Sequence, residues 1–251
     1  MNEIEIENLP IGETVETEKG VIIERRSFIK TAAIAIGAIG LPFVSKAKSV
    51  EFQNENLSYE QFLQEVVPIA KKLITNTSLV GQSKYLLTLA SFAVQLENVP
   101  VPTMRDSGQG AGPGTFIGVN EAPDAPFTVL HWRMEPNTVI RTHAHTYGNV
   151  MTLGLEGEVR VLNYEMIGNK DFSSGKTFTV RKTTDQILTA GKTNLVNLET
   201  NYIHGFQSSA KGGRGLDITT RIKEKQPTPY LDLAKKPLDE ANNLFEASWI
   251  V

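Results

Sequence analysis

Hydrophobic positions between residues 57 and 98 recur at three- and four-residue steps: Phe62, Val66, Ile69 and Leu73, then Tyr85, Leu86, Leu89, Phe92, Ala93 and Leu96. That spacing gathers apolar side chains into one stripe of a helix. Ser58 followed by Gln61 has the pattern of a capping box, and Thr75-Asn76-Thr77 interrupts the run, so a pair of helices joined by a turn is predicted. From Pro126 to about Ile222 the pattern changes. Short runs rich in Val, Thr, Ile and Leu are separated by glycine and asparagine turns, which predicts strands at 127–134, 138–145, 149–155, 158–165, 177–182, 186–190, 193–198, 203–208 and 215–222. Many short strands at such spacing form a sandwich or a barrel.

The segments around this block read more plainly. Val99 to Asp124 is rich in proline and glycine, with Gly108-Gln109-Gly110-Ala111-Gly112-Pro113-Gly114 at its centre. It lacks the Gly-Lys-Ser/Thr ending of a phosphate loop and is expected to be a connecting loop. Residues 226–251 carry Pro227 and Pro229, end in Trp249-Ile250-Val251, and are expected to pack on the outside of the barrel. The predicted organisation is therefore a leader over 1–47, a helical segment over 48–100, a β-barrel over 101–225 and a C-terminal extension over 226–251.

The leader has its own logic. Residues 1–24 are polar and acidic; then come Glu24-Arg25-Arg26-Ser27-Phe28-Ile29-Lys30 and an uncharged run from Thr31 to Val44. Twin arginines, an aromatic residue and a short apolar run resemble a twin-arginine export signal. The run is too short to span a hydrocarbon core of about 30 Å comfortably. Cleavage after Ala47 would leave no stable membrane span, placing the protein in the periplasm or outside the cell by way of the twin-arginine export machinery. The acidic leader is atypical of such signals, and an uncleaved anchor is the alternative.

Composition then removes whole classes of chemistry. The 25 basic residues are scattered and the net charge is −3, so no basic groove is available for nucleic acid. There is no cysteine, which excludes disulfides, zinc–thiolate sites, iron–sulfur clusters and thiol nucleophiles. Four histidines remain. Two of them stand in Arg141-Thr142-His143-Ala144-His145, and residues two apart on a strand share a face. Two imidazoles at that spacing can converge on one ion, and His204, on a later strand, can complete a set of three nitrogens. Such a set suits first-row transition metals, whereas calcium and magnesium prefer oxygen. A lone His-x-His can equally be surface polarity. Here Pro136-Asn137 supplies a turn before the pair, Gly157 lies in a predicted turn after it, and His204 opens a strand.

The run Glu135-Pro136-Asn137-Thr138-Val139-Ile140-Arg141-Thr142-His143-Ala144-His145, followed by Leu155-Glu156-Gly157-Glu158-Val159, resembles the first motif of the cupins. The resemblance implies a mainly β fold, a double-stranded β-helix or jelly-roll barrel, here with an N-terminal helical pair. The motif usually has a glutamate four residues after the second histidine, where this chain has Asn149; that departure points away from four-ligand manganese cupins. Residues 149–165, Ile203-His204-Gly205-Phe206, Gly215-Leu216-Asp217-Ile218 and Pro227-Thr228-Pro229-Tyr230 are similar to the thiol dioxygenases of the cysteamine dioxygenase, plant cysteine oxidase and cysteine dioxygenase type.

This resemblance implies non-haem Fe(II), with Mn, Ni or Zn as alternatives, held by His143, His145 and His204. A small thiol and O2 are the implied substrates. Asp217 matches an acidic position near the family's site, with a structural salt bridge as the other reading. The residues themselves add weaker candidates. Tyr164 and Tyr202 can offer a phenol to the cavity, Tyr164 as a catalytic group and Tyr202 toward the substrate, or both can be core. Arg141 shares a face with His143 and can hold a substrate carboxylate, or sit at the rim. Arg133 alternates with His131 on the preceding strand and is a second substrate-binding candidate, while His131 reads as a hydrogen-bonded structural residue. Competing functions are a cupin oxygenase or isomerase acting on another substrate, and a non-catalytic module that binds a metal or small molecule.

Overall fold

The structure, a computed structural model, describes residues 56–250 apart from 109, 110, 123 and 174. The expected export signal, with Arg25 and Arg26, lies outside the described residues. Two helices come first, α1 (Tyr59–Thr75) and α2 (Leu79–Ala93). Ser58 caps α1 through the reciprocal pair predicted from sequence: its hydroxyl accepts from the Gln61 amide at 3.2 Å and its own N–H donates to Gln61 Oε1 at 2.8 Å. Ten strands follow: β1 (Arg105–Asp106), β2 (Thr115–Asn120), β3 (Phe127–Met134), β4 (Val139–Ala144), β5 (Gly148–Met166), β6 (Thr177–Leu188), β7 (Thr193–Val196), β8 (Ile203–Arg221), β9 (Tyr230–Leu233) and β10 (Leu244–Ile250).

Three predicted pairs of short strands prove to be single long ones, namely β5, β6 and β8. The 19 residues each of β5 and β8 would extend about 60 Å if straight, far more than one sheet is wide, so both bend. They pair antiparallel from Gly148↔Arg221 to Tyr164↔Ile203, with register shifts at Gly154/Glu156 and Gly157/Val159. Gly157 is not a turn between strands. It takes φ +71° inside the bend, where a Cβ would collide with the Gly212 carbonyl oxygen. One half of the β5–β8 pair lies between β3 and β7, and the other between β4 and β6. Two long strands shared by two sheets make a jelly-roll barrel, the fold class expected.

The segment expected to be only a connecting loop contains β1 and β2, and the whole of β2 pairs with Val129–Met134 of β3. Its six residues sit among glycines and prolines that mask their alternation. The C-terminal extension also enters the sheet: β10 pairs with β6 and β9, and β9 meets β4 at His143↔Tyr230. The helices cover one outer face of the barrel. Phe62, Val66, Leu73, Tyr85 and Leu89 pack on Phe127, Val129, Met151, Leu153, Leu216 and Ile218. Each such side chain, once buried, contributes roughly 1.5–3 kcal/mol. Among the described residues no helix is long and apolar enough to cross a membrane.

Candidate metal centre

β4 carries His143, the chain just beyond it carries His145, and β8 carries His204. His143 and His204 are register partners, and the backbone N–H of His145 donates to the Tyr202 carbonyl at 2.8 Å, so the cross-strand ladder sets all three positions. Gly205 allows β4 and β8 to come this close, since a Cβ on it would stand 2.5 Å from the Thr142 hydroxyl. The imidazole rings form a nearly equilateral triangle with centroids 5.0, 4.7 and 4.7 Å apart. One nitrogen of each lies within 4.8 Å of the others, and no carboxylate belongs to the group.

The donor set fits a transition metal. His145 Nε2 and His204 Nε2 are 2.9 Å apart. Two nitrogens each about 2.1 Å from an ion and at right angles to one another would be about 3.0 Å apart, so the pair has the spacing of adjacent corners of an octahedron. His143 Nδ1 is 2.8 Å from the Arg141 carbonyl, which can only accept, so Nδ1 carries the proton and Nε2 is the free donor atom. His204 Nδ1 is buried without a hydrogen-bond partner. Burial depresses the pKa of all three imidazoles, and those of His145 and His204 lie well below the ordinary histidine value. Their mutual proximity pushes the same way. Neutral imidazoles with free lone pairs are what coordination requires.

Behind the triad the barrel is aromatic. Phe206 packs on His204 at 4.7 Å and Trp132 on Phe206 at 5.6 Å, between ring centroids. Asp217 faces the same interior from the other half of β8. Trp132 Nε1 at 3.2 Å and Thr152 Oγ1 at 2.7 Å both donate to its Oδ1. No ion pair reaches it among the described residues, and its partners there are two neutral donors instead of a cation. Burial, against those two hydrogen bonds, pushes its pKa up to about 6.

The other predicted residues scatter. Tyr164 follows Asn163, the register partner of His204, and so points to the opposite face of β5, where it packs on Phe245 at 6.3 Å. Burial raises its pKa to about 12. The structure does not bring it to the histidines. Arg133 is exposed and lies over the Phe116 ring, also away from them. Arg141 stacks at 4.7 Å on Tyr230, whose ring is 6.0 Å from His143, so it stands one side chain away from the centre. Tyr202 lines a cleft beside His145, although its hydroxyl is already engaged by the Met166 N–H at 3.1 Å. His131 is buried with Nε2 3.1 Å from the Asn120 side-chain amide nitrogen, and it shares a face of β3 with Arg133, away from Trp132. Asn149 pairs with Thr220, whose hydroxyl contacts Tyr85 of α2 at 2.6 Å, and therefore faces the helices. The site is nitrogen-only because no carboxylate converges on it, not because Asn149 replaces a ligand.

The cleft, of about 140 Å³, is also lined by Thr146, Lys170, Glu199 and Lys223. These four residues were not singled out from sequence, because each comes from a loop with no motif of its own, whereas Tyr230 stands in the Pro227–Tyr230 segment quoted for the resemblance.

No family model and no curated protein sequence matches the chain. Among solved structures it is similar to the recombinant pro-11S globulin of pumpkin, with a TM-score of 0.37 and 11% identity over 53% of this chain and 32% of that one. The coconut allergen cocosin gives 0.36 and 14% over 50% and 30%. KdgF from Halomonas sp. gives 0.34 and 15% over 47% and 86%. The chain thus spans about a third of the length of the two seed proteins. Similarity at this level says nothing of metal or substrate.

Proposed function

We propose that this protein is a non-haem Fe(II) dioxygenase that adds both atoms of O2 to the sulfur of a small thiol, giving a sulfinate. The observation that carries the reading is the ligand set itself: three neutral imidazoles, two of them at right-angle spacing, with no carboxylate among them. The sequence likeness to thiol dioxygenases around His143, His145, His204 and Asp217 supports the choice of substrate. The overall change balances without another reductant, since the thiol sulfur gives up four electrons and dioxygen takes up four. When bound, ferrous iron supplies a Lewis acid for the thiol and a redox partner for O2.

The chain's own residues do the rest. His143, held by the Arg141 carbonyl, and His145, held at its backbone by Tyr202, fix the donor atoms before any ligand arrives. Phe206 and Trp132 exclude water behind them. Asp217 is the buried carboxyl of the interior, and a pKa near 6 suits a group that accepts the thiol proton and releases it to solvent, leaving the product as the sulfinate anion. Protein purified without oxygen is expected to hold stoichiometric iron and to take up O2 in equal amount with cysteine, cysteamine or 3-mercaptopropionate. Iron present with no uptake on any of these thiols would overturn the thiol reading.

Export belongs to the same proposal. The twin-arginine route moves folded proteins, so iron can be inserted in the cytoplasm, away from copper and zinc, which bind imidazole more tightly. Replacing Arg25 and Arg26 with lysines is expected to hold the protein in the cytoplasmic fraction; unchanged export would count against the signal.

A further inference from the structure

Four loops meet beside His145 and bring together side chains that the metal centre does not use. Thr146 comes from the β4–β5 connection, Lys170 from β5–β6, Glu199 and Tyr202 from β7–β8, and Lys223 from the chain after β8. His145 is the one triad member lining their cleft, so a ligand in the cleft lies against the metal centre. The charges there are unequal. Lys170 donates to Glu199 at 2.9 Å and to the Leu198 carbonyl at 2.7 Å, and its ammonium rests 4.5 Å above the Tyr202 ring, so that pair is mutually neutralised and fixed. Lys223 has no hydrogen bond or ion pair from its ammonium among the described residues. Thr146 Oγ1 is buried and also without a partner. An unmatched cation at the rim of the cleft and an unmatched hydroxyl buried in its wall, beside a neutral metal centre, are complementary to one kind of group, a small anion with acceptor oxygens.

We infer that this cleft is an anion subsite in which Lys223 and Thr146 hold the carboxylate of the substrate, so that the protein takes carboxylate-bearing thiols in preference to amine-bearing ones. The inference rests on the thiol reading of the metal centre. It also separates two candidates: Arg141 is stacked on Tyr230 and does not line the cleft, and Lys223 takes the role considered for it.

The test uses full-length protein loaded with Co(II), whose thiolate charge-transfer band reports binding without turnover. For the native protein, 3-mercaptopropionate is expected to bind at least tenfold more tightly than cysteamine, and added KCl is expected to weaken it. Lys223→Glu should weaken 3-mercaptopropionate at least tenfold while leaving cysteamine unchanged or tighter. The exposed position of Lys223 leaves the fold unaffected. Equal affinity for the two thiols in the native protein, or equal weakening of both in the variant, overturns the subsite. Absence of the band with either thiol counts against the thiol reading instead. In that case calorimetry with propionate decides the subsite alone: Lys223-dependent binding upholds it, and no binding overturns it.

Discussion

A His204→Ala variant is expected to be purified without bound metal and with its β-sheet spectrum intact. His204 is the fully buried member of the triad and the only one contributed by β8, so the two remaining imidazoles would come from one short stretch of chain, the end of β4 and the residue just beyond it. Two nitrogens from one such stretch cannot enclose an ion from more than one side. Removing even an outer-shell partner of a ligand costs roughly 10–100-fold in metal affinity, and losing the ligand itself should exceed the upper end of that range. The apo fold should tolerate the change, because the truncation removes a buried Nδ1 that has no partner and so offsets part of the cavity cost. His131→Gln is the internal control. That residue lies on the other face of β3 and should retain metal at the native level. Elemental analysis of protein prepared without oxygen reads both variants, and native metal content in the His204 variant would sink the triad.

What the sequence revealed of this site divides by the range of the interaction. His143 and His145 were legible because strand periodicity is local, and His204 because it fell within a short segment resembling a known motif. The helical pair was legible for the same reason, since capping and a three-to-four repeat are read over a few residues. Tyr164 shows where local reasoning stops. It is one residue from Asn163, which faces the triad, and which of the two faces inward is set by the β5–β8 register, a long-range pairing that local periodicity does not carry. Glycine misled in the same way. Gly157, which read as a turn residue, takes positive φ within a continuous strand, as does Gly212 in β8, so the long strands β5 and β8 looked like two short ones each. Lys170, Thr146, Glu199 and Lys223 come together only because loops far apart in the chain meet at one end of the barrel.

Asp217→Asn is expected to make the protein more stable at pH 8 and to leave its stability nearly unchanged at pH 4. The sign follows from the raised pKa, about 6 in the fold against 3.8 for an unperturbed aspartate. Between those values the folded chain keeps a proton that the unfolded chain has lost, so stability falls as pH rises through the interval. Above it the ionised carboxylate is buried with two donors on one oxygen and no cation, which costs roughly 3 kcal/mol at 1.36 kcal/mol per pKa unit. Asparagine keeps an acceptor oxygen for Trp132 and Thr152 and has nothing to ionise. For a domain of this size the gain at pH 8 corresponds to a rise of about 6–12 °C in melting temperature. Melting both proteins without metal from pH 4 to 8, and taking the difference, cancels the titration of the histidines, which is common to both. A difference independent of pH would show that Asp217 is not the group that titrates. The same variant should turn over thiol about 100-fold more slowly if the carboxyl accepts the substrate proton. A side chain that weakens the fold at neutral pH and speeds the reaction there has the opposing effects expected of a catalytic group in a strained position. A variant that is both more stable and fully active would confine Asp217 to the architecture of the barrel.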